Sequence, residues 1–376
     1  MNYEIKDIIE FYGNIQYVII PNSDNKVWIM PCKNMNMAMN LYQPSSIKGK
    51  LLKLLLPYSY KLKLVRKFVG IKLVNISIED VFINKIESIL GFRDLEYSFF
   101  LGTPSIHQKA TIQIYKNNKI LGYCKVSNNK EIINLFNKEK DILNYLHDKG
   151  VNSIPNCLFS GKLTNTVNVF VQSTVKSCKS KVIHEIHKKH IDFLKELEEK
   201  TKVYCTYEES DFKQSIERLK LNINIFKDNL EQEVILNAIK IVENVMGNNT
   251  EFSVYHNDFT PWNMFFEKDN LFVFDFEYAK KTYPSLIDIF HFFTQTAIFV
   301  RKEDASVIYM NFKKQFINGE LKDLFSNPSK YYMCYLIDII SLYVSRDKGQ
   351  FSEDVEHNMK IWIELLNNLN EDLNNR

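Results

Sequence analysis

The chain has 376 residues, 45% hydrophobic and 25% charged, with a formal net charge of +3. This balance excludes a disordered chain, which would have fewer apolar residues or a larger net charge. It also gives no electrostatic case for nucleic acid as the main partner. The length suits two or three cores rather than one. Six scattered cysteines (Cys32, Cys124, Cys157, Cys178, Cys205, Cys334) form no CxxC pair and are expected as free thiols in a reducing compartment. Glu4, Asp7 and Glu10 interrupt the apolar start, so no signal peptide is expected. No uncharged apolar run reaches the roughly 18 residues of a membrane span, which makes the cytoplasm the expected location.

Taken in chain order, YVII and VWIM flank a polar turn and predict a hairpin over 17–31. Residues 48–70 follow, with seven basic and no acidic side chains. Ser77 as N-cap, Asp80 three residues on, and Gly91 past the end predict a helix over 78–90. Residues 1–92 thus form an expected α+β module of their own. Three strands are predicted next, at SFFLGT, 110–115 and 120–126. A helix over 131–149 stops at Gly150, and two more strands lie at NCLFSG and 167–175. Helices are then predicted over 181–200, 209–247, 284–300, 303–318, 328–346 and 352–373. They are interrupted by a strand–loop–strand–turn–strand stretch at 250–279.

That interruption carries the chemistry. His256, Asp258 and Asn263 form H-x-D-x-x-x-x-N, and Asp275 and Glu277 follow as V-F-D-F-E. Phosphoryl transfer needs a carboxylate to accept the substrate proton, hard oxygen ligands for Mg²⁺, and a cation on the remaining phosphate charge. Asp258 suits the base, and its five-residue separation from Asn263 matches a kinase catalytic loop. Asn263 and Asp275 suit the metal, with Glu277 as a further metal ligand or substrate contact, or else a salt-bridged structural residue. The cation is expected from Lys125, on the third strand after residue 93, held by Glu139 of the following helix. The loop after Gly102 would cover the nucleotide, without a GxGxxG pattern. The backbone of a hinge at Gln172, Ser173 and Val175 would meet adenine.

The segments HNDFTPWNMF, LFVFDFEYA and PSLIDIFHFF resemble the aminoglycoside phosphotransferase and choline kinase superfamily. The resemblance spans about residues 97–370 and is specific over 254–293. It implies a bilobal protein-kinase-like α+β fold, with a small β-rich N-lobe over 93–176 and a large helical C-lobe over 177–376. It also implies ATP and Mg²⁺ as cofactors, Asp258 as base, Asn263 and Asp275 as metal ligands, and Lys125 with Glu139 as phosphate clamp. His256 and Asp288 would brace the catalytic loop. The chain has His-Asn-Asp where many members have His-Gly-Asp. The implied acceptor is a small molecule, a sugar or surface-glycan precursor. The alternatives are a choline- or ethanolamine-type amino alcohol, or an inactive nucleotide-binding scaffold.

Other features read as structural. His184, His187 and His190 are spaced for a solvated helix face rather than a metal site. Trp262 is expected to pack under the catalytic loop. The basic, leucine-rich 48–70 segment suits core packing or a weak membrane-surface contact, in which case the protein would sit at the inner face of the membrane.

Overall fold

The computed structural model describes residues 3–21, 25–44, 47–102, 108–244 and 250–374. In chain order the elements begin with α1 (Tyr3–Lys6), β1 (Ile9–Pro21), β2 (Val27–Pro31), α2 (Met35–Ala38), α3 (Ile47–Ser59) and α4 (Lys63–Val69). They continue with β3 (Lys72–Ile78), α5 (Asp80–Leu90), β4 (Glu96–Leu101), β5 (Ala110–Lys116), β6 (Lys119–Ser127), α6 (Lys130–Asp148), β7 (Cys157–Lys162) and β8 (Asn168–Ser173). Next come α7 (Lys188–Thr201), β9 (Val203–Cys205), α8 (Asp211–Leu221), α9 (Asn229–Glu243), β10 (Thr250–Tyr255), β11 (Met264–Glu267), β12 (Asn270–Val273) and β13 (Lys280–Pro284). Four helices close the chain: α10 (Asp288–Thr296), α11 (Ala305–Phe312), α12 (Pro328–Asp347) and α13 (Glu353–Asn374). No described helix is long and apolar enough to cross a membrane.

The chain divides into two compact units. The first comprises residues 1–148, 152–181 and 265–277, and the second holds the rest. The first is built on one eight-stranded sheet in the order β3-β1-β2-β4-β5-β6-β8-β7, with antiparallel neighbours throughout. Residues 1–92 supply β1, β2 and β3, which join the later strands through β2 and β4, with Val27 opposite Leu101 and Ile29 opposite Phe99. Stacking of Trp28 on Phe100, 4.9 Å between centroids, seals that junction.

Strand alternation sends successive side chains to opposite faces, and β1 is covered on both. Tyr17 packs with Phe82 and Ile86 of α5, while Val18 and Ile20 pack with Met35, Met37 and Leu56 on the other side. A bulge near Gly13 shifts the β1–β3 register, and a Cβ there would lie 2.0 Å from the Ser77 nitrogen, so only glycine fits. Ser77 itself is a β3 residue paired with Glu10, and α5 starts two residues later than expected from that serine, with Glu79 at the N-cap. Gly91 ends α5 in the left-handed region, φ 73°, as its position predicts.

The second unit packs α7 to α13 with a small sheet in the order β13-β10-β9. Its core is aromatic: Phe290 stacks on Tyr332 at 5.0 Å and on Phe325 at 4.9 Å. The buried Asp338 carboxylate accepts hydrogen bonds from Ser215 and Tyr283, each 2.7 Å. Predicted helix boundaries differ from the structure in several places, among them the helix expected over 284–300, which starts at Asp288 after β13. The helix expected over 181–200 starts at Lys188, because His187 caps it. The helix expected over 209–247 is two helices, broken at 222–228 and restarted where the Asp228 side chain accepts the Leu230 N–H at 2.9 Å. Asp275 follows β11, a turn and β12, as expected, two residues past the end of β12 at Val273.

Candidate active site

In the strand-rich unit, β6 aims Lys125 inward, opposite Phe170 of β8. Its ammonium sits 2.5 Å from Glu139 of α6 and 2.5 Å from Asp275 in the segment after β12. Glu277 lies 3.7 Å from the same nitrogen. A second lysine, Lys109, hydrogen-bonds Glu277 and approaches Asp275 at 3.4 Å. Two ammonium groups and three carboxylates are therefore packed together, with Glu139 fully buried and Lys125 nearly so. Burying charge is tolerable only when it is paired this way.

The charges shape one another. Burial pulls the two ammonium groups down, but the neighbouring carboxylates outweigh it and hold both lysines above their ordinary range. Burial also pushes the Glu139 carboxyl up to about 7, against the attraction of Lys125. Oxygens of Glu139, Asp275 and Glu277 lie within 4.8 Å of one another. The second Glu139 oxygen has no hydrogen-bond partner among the described residues. A hard, anionic oxygen set of this kind fits Mg²⁺.

Asp275 holds φ at 71°, a left-handed conformation that asparagine and aspartate adopt more readily than most residues. The loop expected over the nucleotide lies, at 103–107, outside the described residues. Its ends are tied together by Gln108, which donates to the Gly102 carbonyl at 2.6 Å. At the expected hinge, Gln172 is buried and Val175 is half exposed. The Ser173 N–H donates to the Asn156 carbonyl at 2.9 Å.

In the helical unit, β10 leads into the loop expected to be catalytic. The buried Asp288 carboxylate, at the start of α10, accepts the His256 N–H at 2.8 Å and the Asn257 N–H at 3.1 Å. Burial pushes that carboxyl up to about 8, against the two amide bonds, which favour its charged form. His256 Nδ1 accepts the Asp258 N–H at 3.2 Å. Asn257 takes φ 65°, which explains the His-Asn-Asp sequence: glycine and asparagine are the residues that enter this region at low cost.

Pro261 opens a short 3-10 turn that ends at Asn263. From there the Asn263 amide donates to Asp258 Oδ2 at 2.7 Å and to the Asp258 carbonyl at 3.0 Å. His291 Nε2 lies 3.4 Å from Asp258 Oδ1. Asp258 thus keeps one oxygen held by Asn263 and the other facing a buried imidazole, while remaining partly exposed. Trp262 is 39% exposed, edge-on to Phe299 at 6.0 Å.

No protein-family profile and no curated protein matches the sequence. Solved structures do. A thermostable mutant of the aminoglycoside phosphotransferase APH(4)-Ia, in a ternary complex with AMP-PNP and hygromycin B, aligns with a TM-score of 0.51 at 10% identity. The alignment covers 78% of this chain and 98% of that one. A second mutant of that enzyme, with ADP and hygromycin B, gives 0.50 at 10% identity over 77% and 97% of the two chains. The chain has the fold of the aminoglycoside phosphotransferases. A choline kinase from Streptococcus pneumoniae also aligns, with a TM-score of 0.46 at 13% identity, over 76% of this chain and 97% of that one.

This kinase-like α+β fold is the class expected from the motifs. Within the phosphotransferase fold, the strand-rich unit brings together Lys125, Glu139, Asp275 and Glu277, and the helical unit brings together His256, Asp258, Asn263 and Asp288. Sequence reasoning missed Lys109, Gln108 and His291. Lys109 sits immediately before β5, where no spacing rule applies. His291 is one helical turn past Asp288, a weak i, i+3 signal.

Proposed function

We propose that this chain is an ATP- and Mg²⁺-dependent phosphotransferase that moves the γ-phosphoryl group to a hydroxyl of a small molecule, a sugar or surface-glycan precursor. The observation that carries this reading is Lys125 clamped between Glu139 and Asp275, 2.5 Å from each. A lysine held by a helix glutamate beside a metal-binding aspartate is the phosphate grip of kinase chemistry. A buried ion cluster built only for stability would be a poor choice, since apolar residues of similar volume serve as well or better.

In this mechanism Asp258 accepts the proton of the acceptor hydroxyl as its oxygen bonds to the γ-phosphorus. The bond from that phosphorus to the β,γ-bridging oxygen breaks, and ADP leaves with the bonding pair. The Asn263 amide, bonded to Asp258 Oδ2 at 2.7 Å, fixes the base and leaves its own carbonyl oxygen for the metal. Asn263, Asp275 and Glu277 would hold Mg²⁺, which when bound neutralises charge on the phosphates. Lys125 neutralises the α- and β-phosphates. Backbone groups from Gln172 to Val175 would receive adenine, and Gly102 borders the loop over the nucleotide.

The test is ADP release from ATP and Mg²⁺ across a panel of sugars, glycan precursors and amino alcohols, with wild type and Lys125→Ala. Acceptor-dependent release by wild type alone supports the reading. Release only with choline or ethanolamine would move the acceptor to amino alcohols. No release with any acceptor, and no nucleotide binding, would overturn it.

A further inference from the structure

Helices α3 and α4 treat their apolar side chains unlike the rest of the molecule. A surface helix normally turns one apolar face to its own core. Yet α4 buries no residue, and α3 buries only Gly49 and Leu56. Leu54 is 67% exposed, Tyr58 77%, Leu64 83% and Phe68 92%. Single exposed apolar residues need no explanation, but a run of them does.

The charge around them has one sign. Lys48, Lys50, Lys61, Lys63 and Lys67 are exposed, and residues 48–70 contain no acid. None of these five lysines forms an ion pair with a described residue. Some lysines elsewhere are paired along their own helix, as Lys188 with Asp192 and Lys200 with Glu196, which the acid-free 48–70 segment does not allow. A second copy of this chain would bring like charge to like. Nucleic acid would engage the lysines and leave the leucines and Phe68 in water. An anionic bilayer satisfies both halves of the surface.

We propose that the α3–α4 face seats this protein on an anionic phospholipid bilayer. Leu54, Tyr58, Leu64 and Phe68 enter the boundary between headgroups and acyl chains, and the lysines lie against the lipid phosphates. Each lysine near such a surface contributes about a fivefold gain in partitioning at low salt. The inference is independent of the phosphotransfer reading, because it uses none of the site residues.

The experiment is flotation of the full chain with phosphatidylglycerol–phosphatidylcholine vesicles, compared with phosphatidylcholine alone, at low and high salt. Wild type is expected to float with the anionic vesicles and to be released by salt. The Leu64→Ser/Phe68→Ser and Lys61→Glu/Lys63→Glu/Lys67→Glu variants are expected to lose at least about tenfold in binding with unchanged melting, since the altered side chains touch little. As a check that needs no loss of function, Phe68→Trp should add a fluorescence signal that shifts to the blue with anionic vesicles. Equal binding to both vesicle types, no flotation, or an unshifted signal would each overturn the proposal. So would self-association through this face without lipid binding, which would assign it to a second copy.

Discussion

Asn257 and Asp258 show how backbone and chemistry meet at single residues. With φ at 65°, position 257 tolerates Asn257→Gly with little loss of stability. A β-branched Asn257→Val should cost about 1–2 kcal/mol from left-handed strain alone. Urea unfolding of the two variants checks this, and equal midpoints would refute it. Asp258→Asn keeps the shape and removes the proposed proton acceptor. It is expected to lower kcat by about 10²–10⁴-fold, the usual worth of a positioned acid or base, while nucleotide binding persists. Unaltered turnover would remove Asp258 from the chemistry. The candidate residues of this loop stand out in the sequence because the proton transfer and magnesium binding proposed for them admit few side-chain types at fixed spacing. Lys109 was not, because sheet register brings it to the carboxylates: Ala110 pairs with Val126, the neighbour of Lys125.

Elements were legible where periodicity ends on a strong stop, and less so where a side chain alone starts the helix. Gly91 ended α5 on cue, whereas the α8–α9 break contains neither glycine nor proline and keeps its apolar rhythm. Asp228 does the restarting there, and Asp228→Ala should cost about 1 kcal/mol through the lost cap. At α7 the histidines do not form the expected solvated face. The His187 side chain accepts the Lys189 N–H at 3.2 Å, and the His187 N–H donates to Nδ1 of the buried His190 at 3.1 Å. Burial, helped by His187, depresses His190 from its ordinary 6.5 to about 4. As pH falls below 6.5 the unfolded chain takes up the proton first, so stability drops until the folded form also charges near 4. The loss reaches up to about 3 kcal/mol. His190→Gln, which retains an acceptor and does not titrate, should flatten this limb of a melting-temperature profile. An unchanged slope would place the acid sensitivity elsewhere.

At the scale of the whole molecule, the sequence pattern predicts the first 92 residues as a module apart, yet their three strands extend the sheet that carries Lys125. Hydrophobic pattern marks a strand but does not name its partner, so this continuity was invisible in the sequence. A chain beginning at residue 93 would bare the β4 edge and strip Ile5, Ile8, Phe82 and Ile86 from the core around Phe99. It is expected to aggregate on expression, and a soluble monomer with one cooperative melt would contradict this. Saturation with ATP and Mg²⁺ at about 100 times Kd should add about 2.7 kcal/mol to the full chain. Asp275→Ala should abolish that gain, as followed by thermal melting. The strand-rich unit also draws its last segment, 265–277, from beyond most of the helical unit's first half. During synthesis the Lys125–Glu139 pair therefore emerges long before Asp275, by on the order of ten seconds at about 5–20 residues per second. A nascent chain cannot assemble this cluster of two lysines and three carboxylates until that late hairpin arrives, so incomplete polypeptides lack the proposed phosphate grip.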